Sequence, residues 1–275
     1  DVANLLEFQP EEKIAQVIQI QSYEDAPYLV LATQQGRVKK SRLTDYESAR
    51  SAGLIAINLN EGDALIGAQL VSEGDDILLT SEQGQAIRFT ADDDQLRPMG
   101  RATAGVKGMR FRGDDQLLSM SVVNDGQFLL VATSGGYGKR TAIEEYTPQG
   151  RGGLGVMTFK YTPKRGKLIS AIAVEEDDEI FAITSAGGVV RTEVNQIRPS
   201  SRATMGVRLV NLADDVELLA IDRNVEDDGE EDAQAVAKGE KSVEDVQQEH
   251  LKLGDDATAK GADKDSSQDT TEGEE

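Results

Sequence analysis

The sequence predicts an all-β, propeller-like array of four-stranded units. Three observations predict it. One layout recurs about every fifty residues, short apolar runs end at turn glycines, and no window before the acidic C-terminal segment carries a helical stripe.

The first element of each repeat is an apolar run ending in Thr/Ser-x-x-Gly. It reads Tyr28 to Gly36, Ile77 to Gly84, Phe128 to Gly136 and Ile180 to Gly187. These glycines lie 48, 52 and 51 residues apart. The runs are short and rich in Val, Ile, Leu and Phe, which suits a strand buried on both faces better than a helix. The Thr/Ser-x-x-Gly pieces suit hairpin turns, in which glycine supplies a positive φ.

A second glycine follows in every unit: Gly53, Gly105, Gly155 and Gly206, spaced by 52, 50 and 51 residues. One residue after it stands Leu54, Val106, Val156 or Val207. Four after it stands Ile57, Met109, Phe159 or Val210, and six after it Leu59, Phe111, Tyr161 or Leu212. Offsets four and six share one face of a strand, so both sets are expected to pack, Tyr161 included. A further apolar strand opens at Leu65, Leu117, Leu168 and Leu218. Residues Asp1 to Ile20 resemble the last half of another unit, through Leu5, Leu6 and Phe8 and then Ile14, Val17 and Ile18. The expected domain is therefore 1–225, half a unit plus four whole ones. The chain opens at Asp1 without Met, as a fragment or processed product would, and a missing front half would complete a fifth blade.

From residue 226 to 275 the chain has 18 acids, 5 bases and no Phe, Tyr, Trp or Ile. Such a segment cannot bury enough apolar surface to offset its chain entropy, so 226–275 is expected to be a disordered acidic tail. It could solubilise the chain, or mimic DNA and fold back on a basic surface.

Composition removes several function classes. The chain has 275 residues, no Cys and a single His, which excludes disulfides, thiolate metal sites, Cys nucleophiles and multi-His centres. That histidine, His250, lies in the acidic segment and leaves no route to a Ser-His-Asp triad. No apolar run reaches the roughly 18 residues of a membrane span, and no secretory signal opens the chain. Asp92 to Asp94 lack the alternating ligands and glycine of a calcium loop. The other acid clusters read as polar turns. No cofactor, metal or catalytic residue is expected, and the absence of cysteine is compatible with a cytoplasmic location.

The net charge of −21 argues against nucleic acid, but the charges fall in blocks. Gln95 to Arg112 carries Arg97, Arg101, Lys107, Arg110 and Arg112 with no acid. The bases also repeat. Arg50, Arg101, Arg151 and Arg202 precede the second glycine; Lys39 and Lys40, Arg88, Lys139 and Arg140, and Arg191 follow the first. On the repeat reading both sets stand as a circumferential series on the rim, where Arg and Lys can meet the phosphates of a bent duplex without base readout. Solvated surface charge inherited from one ancestral repeat is the plainer alternative. Gln149-Gly-Arg-Gly-Gly-Leu-Gly155 adds a backbone that can lie close to a ligand. It is neither a Walker loop nor a dinucleotide fingerprint, and on composition alone it is a flexible turn.

At this motif the sequence resembles the C-terminal domain of bacterial DNA gyrase A, most closely the actinobacterial form, from Asp1 to about Asn224. Ile14 to Gln19, Ala26 to Thr33, Leu96-Arg-Pro-Met-Gly-Arg-Ala-Thr103, Val131 to Gly136 and Lys139 to Tyr146 carry the resemblance. It implies a six-bladed β-pinwheel, whose blades exchange strands and whose basic rim bends double-stranded DNA. It also implies partners, the rest of a homodimeric gyrase A and gyrase B, in a type IIA topoisomerase that introduces negative supercoils by ATP-driven strand passage. The family's gyrase-A box, Q-R-R-G-G-K-G, belongs to a first blade ahead of Asp1. Gln149 to Gly155 looks like a second, degenerate box that keeps Gln149, Arg151, Gly152, Gly153 and Gly155 but has Gly150 and Leu154 in place of two cations. The catalytic tyrosine belongs to the N-terminal part, so none of the tyrosines here inherits it. The competing functions are a propeller scaffold for protein partners, which would show an exposed aromatic or apolar patch, and a propeller hydrolase with paired carboxylates in a pocket.

Overall fold

The computed structural model describes residues 14–47 and 53–224. Arg50, the residues before Ile14 and the acidic segment 226–275 lie outside the described residues. The described chain is all-β: no α-helix occurs in it, only short 3-10 turns.

The strands form four sheets. Strands β1 (Tyr28–Thr33), β2 (Arg37–Arg42) and β3 (Leu65–Val71) make the first with β6 (Val106–Lys107), in the order β3-β1-β2-β6. Strands β4 (Asp76–Ser81), β5 (Gln85–Thr90), β7 (Leu117–Val123) and β10 (Val156–Met157) make the second, ordered β7-β4-β5-β10. Strands β8 (Phe128–Thr133), β9 (Tyr137–Ala142), β11 (Leu168–Val174) and β14 (Val207–Arg208) make the third, ordered β11-β8-β9-β14. The fourth holds three strands, β12 (Glu179–Thr184), β13 (Val189–Glu193) and β15 (Leu218–Arg223), ordered β15-β12-β13. All strand pairs are antiparallel.

The sheets exchange strands. Strand β6 follows the second glycine of the second unit yet pairs with β2 of the first, with Val106 opposite Val38. Likewise β10 pairs with β5, Val156 opposite Ala86, and β14 with β9, Val207 opposite Gly138. The second glycine makes the crossing possible. Gly105, Gly155 and Gly206 have φ of +71°, +69° and +67°. A Cβ on Gly155 would lie 2.2 Å from the Ala86 carbonyl oxygen. Only glycine permits both the left-handed turn and the close backbone approach.

Strands β3, β7, β11 and β15 pack against one another in sequence. They form the inner edge of the array and β6, β10 and β14 the outer edge. The cores lie between neighbouring sheets. Val30, Val38 and Val71 pack on Ile77, Leu79, Ile87 and Phe89. Leu78 and Val123 face the other way, onto Leu129, Val131 and Phe159. Leu130 and Val174 meet Ile180, Ala182 and Val210. Strand β4 thus buries alternate residues into two cores, as its unbroken apolar run predicts. Each such Leu or Ile contributes about 1.5–3 kcal/mol. The first-glycine turns also form as expected, with φ of +78°, +86°, +77° and +79° at Gly36, Gly84, Gly136 and Gly187. The Thr33 hydroxyl accepts the Arg37 N–H across its turn, and Ser81, Thr133 and Thr184 repeat the bond.

Two expectations are corrected. Offset four is core, with Met109, Phe159 and Val210 buried, but offset six packs only in part: Phe111 and Leu212 lie partly buried against two of the cores, while Leu59 and Tyr161 do not. Phe111 also lies over the Gly36 turn, as Leu212 does over the Gly136 turn, whereas Tyr161 is 37% exposed. The strand expected around Ile14, Val17 and Ile18 does not form, and Val17 is 72% exposed. Its counterparts pair with the first strand of their own unit, and no strand among the described residues offers it that edge.

Candidate nucleic-acid interface

The two repeating sets of bases separate in space. Those after the first glycine lie on β2, β5 and β9, whose middle residues are covered on both sides. Lys39, Lys40 and Lys139 are 0% exposed, Arg140 2% and Arg88 7%. This corrects the expectation that they stand on the rim: a phosphate cannot reach them.

Each has an internal partner. The Lys40 ammonium donates to the Ala91 carbonyl and lies 3.4 and 3.5 Å from Glu73 and Asp93. Arg88 spans Asp76 at 2.7 Å and Asp125 at 2.9 Å and also donates to Ile143 O. Arg140 pairs with Glu176 at 2.9 Å and donates to Ile197 O. Arg191, in the fourth unit, stays exposed but bonds Glu179. The acids expected to be mere polar turns thus include the counter-ions of the buried cations. Aromatic faces add to this, with Tyr28 under Lys40 and Phe128 under Arg140, each 4.5 Å away.

Lys39 and Lys139 have no carboxylate partner among the described residues. Each ammonium donates to backbone carbonyls, those of Ala56 and Arg101 for Lys39 and of Ser201 and Arg202 for Lys139. Burial, reinforced by the Arg101 charge, pulls Lys39 down to about 8. Burial also brings Lys139 to about 8, against the pull of Glu145.

The bases before the second glycine behave differently. Arg101, Arg151 and Arg202 each sit in the loop leading into an outer strand, β6, β10 or β14, and each is partly exposed. None of the three forms an ion pair among the described residues. The loops hang from matching points, since Met99, Gln149 and Ser200 donate their N–H to the carbonyls of Lys40, Arg88 and Arg140. Buried cations therefore anchor the strand from which each exposed arginine is presented.

The segment Gln149 to Gly155 is ordered against the preceding unit. Gly152 N–H donates to Gly108 O, and Arg110 binds Gly153 O through its N–H and Gly152 O through its guanidinium. Arg151 donates to the carbonyls of Gln95 and Lys107. This brings Arg151, Lys107 and Arg110 together on the outer edge beside the acid-free Gln95 to Arg112 stretch. Gln149 and Gly153 join that surface, Gln149 exposed and Gly153 partly so.

Sequence reasoning missed Arg37 and Arg165. Arg37 binds the carbonyls of Ala104 and Gly105, at 2.8 and 2.6 Å. Arg165 stacks 4.4 Å over Tyr137 and donates to the equivalent pair, Met205 and Gly206. Tyr137 occupies the repeat position of Arg37, so a cation reaches the same place by a different route. The burial of Lys39 and Lys139 did leave a signal, because the apolar Ile87 and Val190 hold the same position in the other two units, Ile87 being buried and Val190 39% exposed.

A profile of the family described as "DNA gyrase C-terminal domain, beta-propeller" matches residues 27–72, 75–124, 127–175 and 178–224, one match for each unit. The chain belongs to the DNA gyrase A C-terminal domain family. It is 62% identical over 232 residues to the DNA gyrase A protein of Mycobacterium tuberculosis (strain ATCC 25618 / H37Rv), spanning 84% of this chain and 28% of that protein. Identity is 59% over 230 residues to the Streptomyces coelicolor gyrase A protein, with 82% and 27% covered. The chain thus spans little more than a quarter of these relatives. Among solved structures, a DNA gyrase A C-terminal domain superposes with a TM-score of 0.72 at 28% identity, covering 81% of this chain and 74% of that one. A topoisomerase IV C-terminal domain shares the fold, with a TM-score of 0.77 at 24% identity and coverage of 86% and 74%. The gyrase-A resemblance read from Leu96 to Thr103 and from Lys139 to Tyr146 is confirmed. In this gyrase-A C-terminal domain those stretches are the Arg101 loop and the strand that braces the Arg202 loop. No helix among the described residues is long and apolar enough to cross a membrane.

Proposed function

We propose that this domain is a non-catalytic module that binds duplex DNA and bends it along its outer edge. The observation that carries this reading is the sorting of cations. Three guanidinium groups, free of ion pairs among the described residues, recur on the loops before β6, β10 and β14, while the buried bases behind them are held internally, Lys40, Arg88 and Arg140 by carboxylates and Lys39 and Lys139 by backbone carbonyls. Lys107 and Arg110 add charge between the first two loops. Such an edge meets phosphates from successive turns and selects DNA by deformability more than by base identity. Strong wrapping by Gln149 to Gly155 alone is not expected, because Gly150 and Leu154 stand where the box of the family has cations.

In the whole protein the bent segment would be delivered to a cleavage core built from the rest of gyrase A, as a homodimer, with gyrase B supplying ATP hydrolysis in a bacterial cytoplasm. A topological assay tests the reading. Relaxed plasmid is incubated with the chain and a type I topoisomerase, then deproteinised. Wrapping shifts the topoisomer distribution in proportion to bound protein. An unshifted distribution under conditions where the chain saturates linear duplex would reduce the role to binding without bending, and absence of duplex binding at low salt would remove it.

A further inference from the structure

The Arg101 and Arg202 loops share a backbone polarity that the Arg151 loop lacks. Every carbonyl from Met99 to Gly105 is held by a donor of the domain. Ser41 takes Met99 O and Thr103 takes Gly100 O. Lys39 takes Arg101 O, and Asn58 takes Ala102 O and Thr103 O. Arg37 takes the last two. The Arg202 loop repeats the scheme. Thr141 binds Ser200 O, Lys139 binds Ser201 O and Arg202 O, the Lys160 N–H binds Thr204 O, and Arg165 binds Met205 O and Gly206 O.

With these carbonyls turned onto donors of the domain, cations among them, the opposite side of each peptide carries N–H groups. Those of Ala102, Ala104 and Gly105, and of their equivalents Ala203, Met205 and Gly206, have no acceptor among the described residues. All six residues are at least partly exposed. Successive unpaired N–H groups beside a guanidinium form an anion-binding concavity. The Arg151 loop is the internal contrast. Ile87 and Gln85 occupy the positions of Lys39 and Arg37, and its Gly152 N–H, the counterpart of those of Ala102 and Ala203, is spent on Gly108; the Arg202 N–H, like that of Arg151, is taken within the domain, by the Glu145 carboxylate.

We infer that the loops Met99 to Gly105 and Ser200 to Gly206 are backbone phosphate cradles, with Lys39, Arg37, Lys139 and Arg165 as positioning residues that hold their N–H groups toward the DNA. The inference rests on the DNA-binding reading and names how two of the three loops grip the strand. Lys39 and Lys139 act through the loop and touch no phosphate.

The test uses the full chain, isotope-labelled, with a blunt 20-base-pair duplex. On saturation the amide resonances of Ala102, Ala104, Gly105, Ala203, Met205 and Gly206 should shift, and those of Arg151 and Gly152 should move less. Lys39→Met should weaken duplex affinity by about fivefold to tenfold, through the cost of re-ordering the loop. The salt slope should hold, because no cation is withdrawn from a phosphate. Arg101→Ala should lower that slope by about 0.9. If Lys39→Met does not fold, Arg37→Met takes its place, with the same expected loss. Saturating DNA that leaves the six amides unmoved would overturn the cradle. So would a folded brace variant with wild-type affinity, although Arg101→Ala would still lose affinity and the DNA-binding reading would stand. Unaltered affinity and slope in Arg101→Ala as well would point the failure at that reading itself.

Discussion

Arg88→Met separates the structural cations from the DNA-facing ones. Arg88 is 7% exposed and bridges Asp76, whose side chain is 14% exposed, and Asp125, which is 70% exposed. Removing it leaves the Asp76 carboxylate under cover with only Thr90 donating to it, and strips a donor from Ile143 O. Breaking a buried pair from one side costs about 3–5 kcal/mol. Asp125 regains water, so the loss should sit near the lower end, about 3 kcal/mol. For a domain of this size that is a fall in Tm of about 6–12 °C. Circular dichroism melts measure it. Arg88→Met combined with Asp76→Leu should recover most of the loss, since the stranded charge goes too. The salt slope of duplex binding by Arg88→Met, measured well below its Tm, should match wild type. A fall in Tm of less than about 3 °C, or a slope reduced by about 0.9 as for a lost phosphate contact, would refute the assignment of Arg88 to the interior.

Four further outcomes follow from the same geometry. Gly155→Ala should destabilise by more than about 2 kcal/mol, combining left-handed strain with a Cβ 2.2 Å from the Ala86 carbonyl; Gly53→Ala, with φ +71° and nothing within 4 Å, should cost only about 1 kcal/mol in denaturant titrations. Lys39 binds its proton with a pKa of about 8 in the fold against 10.5 when unfolded. The unfolded chain therefore holds more protons between these values, and wild-type stability should rise with pH across that window relative to Lys39→Met; parallel pH profiles of Tm would contradict this. Tyr146, buried and bonded to Thr158, has its phenol pushed up to about 12. Its contribution should be complete below pH 10 and lost as pH climbs toward 12, so the gap between wild type and Tyr146→Phe, about 1–2 kcal/mol at neutral pH, should narrow there.

Much of the fold was legible because it repeats. Gly36 and its counterparts marked the hairpins, Gly105 and its counterparts the outer strands, and the doubly buried first strands read directly from runs such as Ile77 to Leu79. Offset six was legible only in part, through Phe111 and Leu212, because a strand's alternation stops at β6, β10 and β14, each two residues long. Phe111 then serves the turn of another strand. The site was legible by halves. Arg101, Arg151 and Arg202 lie where their spacing put them, on the outer edge. Lys40, Arg88 and Arg140 recur with equal regularity, and Lys39 and Lys139 in two units, for a different reason: a long side chain carries charge out to carbonyls and carboxylates at the strand's margin. Periodicity reports that a position matters, but it does not distinguish a cation facing phosphate from one facing Asp76. Comparison between units came closer, since the buried Ile87 marks the Lys39 position as an interior one, although Val190, its counterpart in the fourth unit, is 39% exposed. Arg165 could not be found this way, because its role depends on stacking over Tyr137 across the chain.

The central claim is that the outer-edge cations, the three loop arginines foremost, exchange counterions with DNA and the buried bases do not. The most direct measurement is the salt dependence of duplex affinity for Arg101→Ala/Arg151→Ala/Arg202→Ala beside wild type. Three lost phosphate contacts should lower the log–log slope by about 2.7, in a domain that stays folded although Arg151 and Arg202 give up their bonds to the Gln95, Lys107 and Met157 carbonyls. A triple variant that keeps the wild-type slope would place the DNA on some other face of the domain and contradict the account.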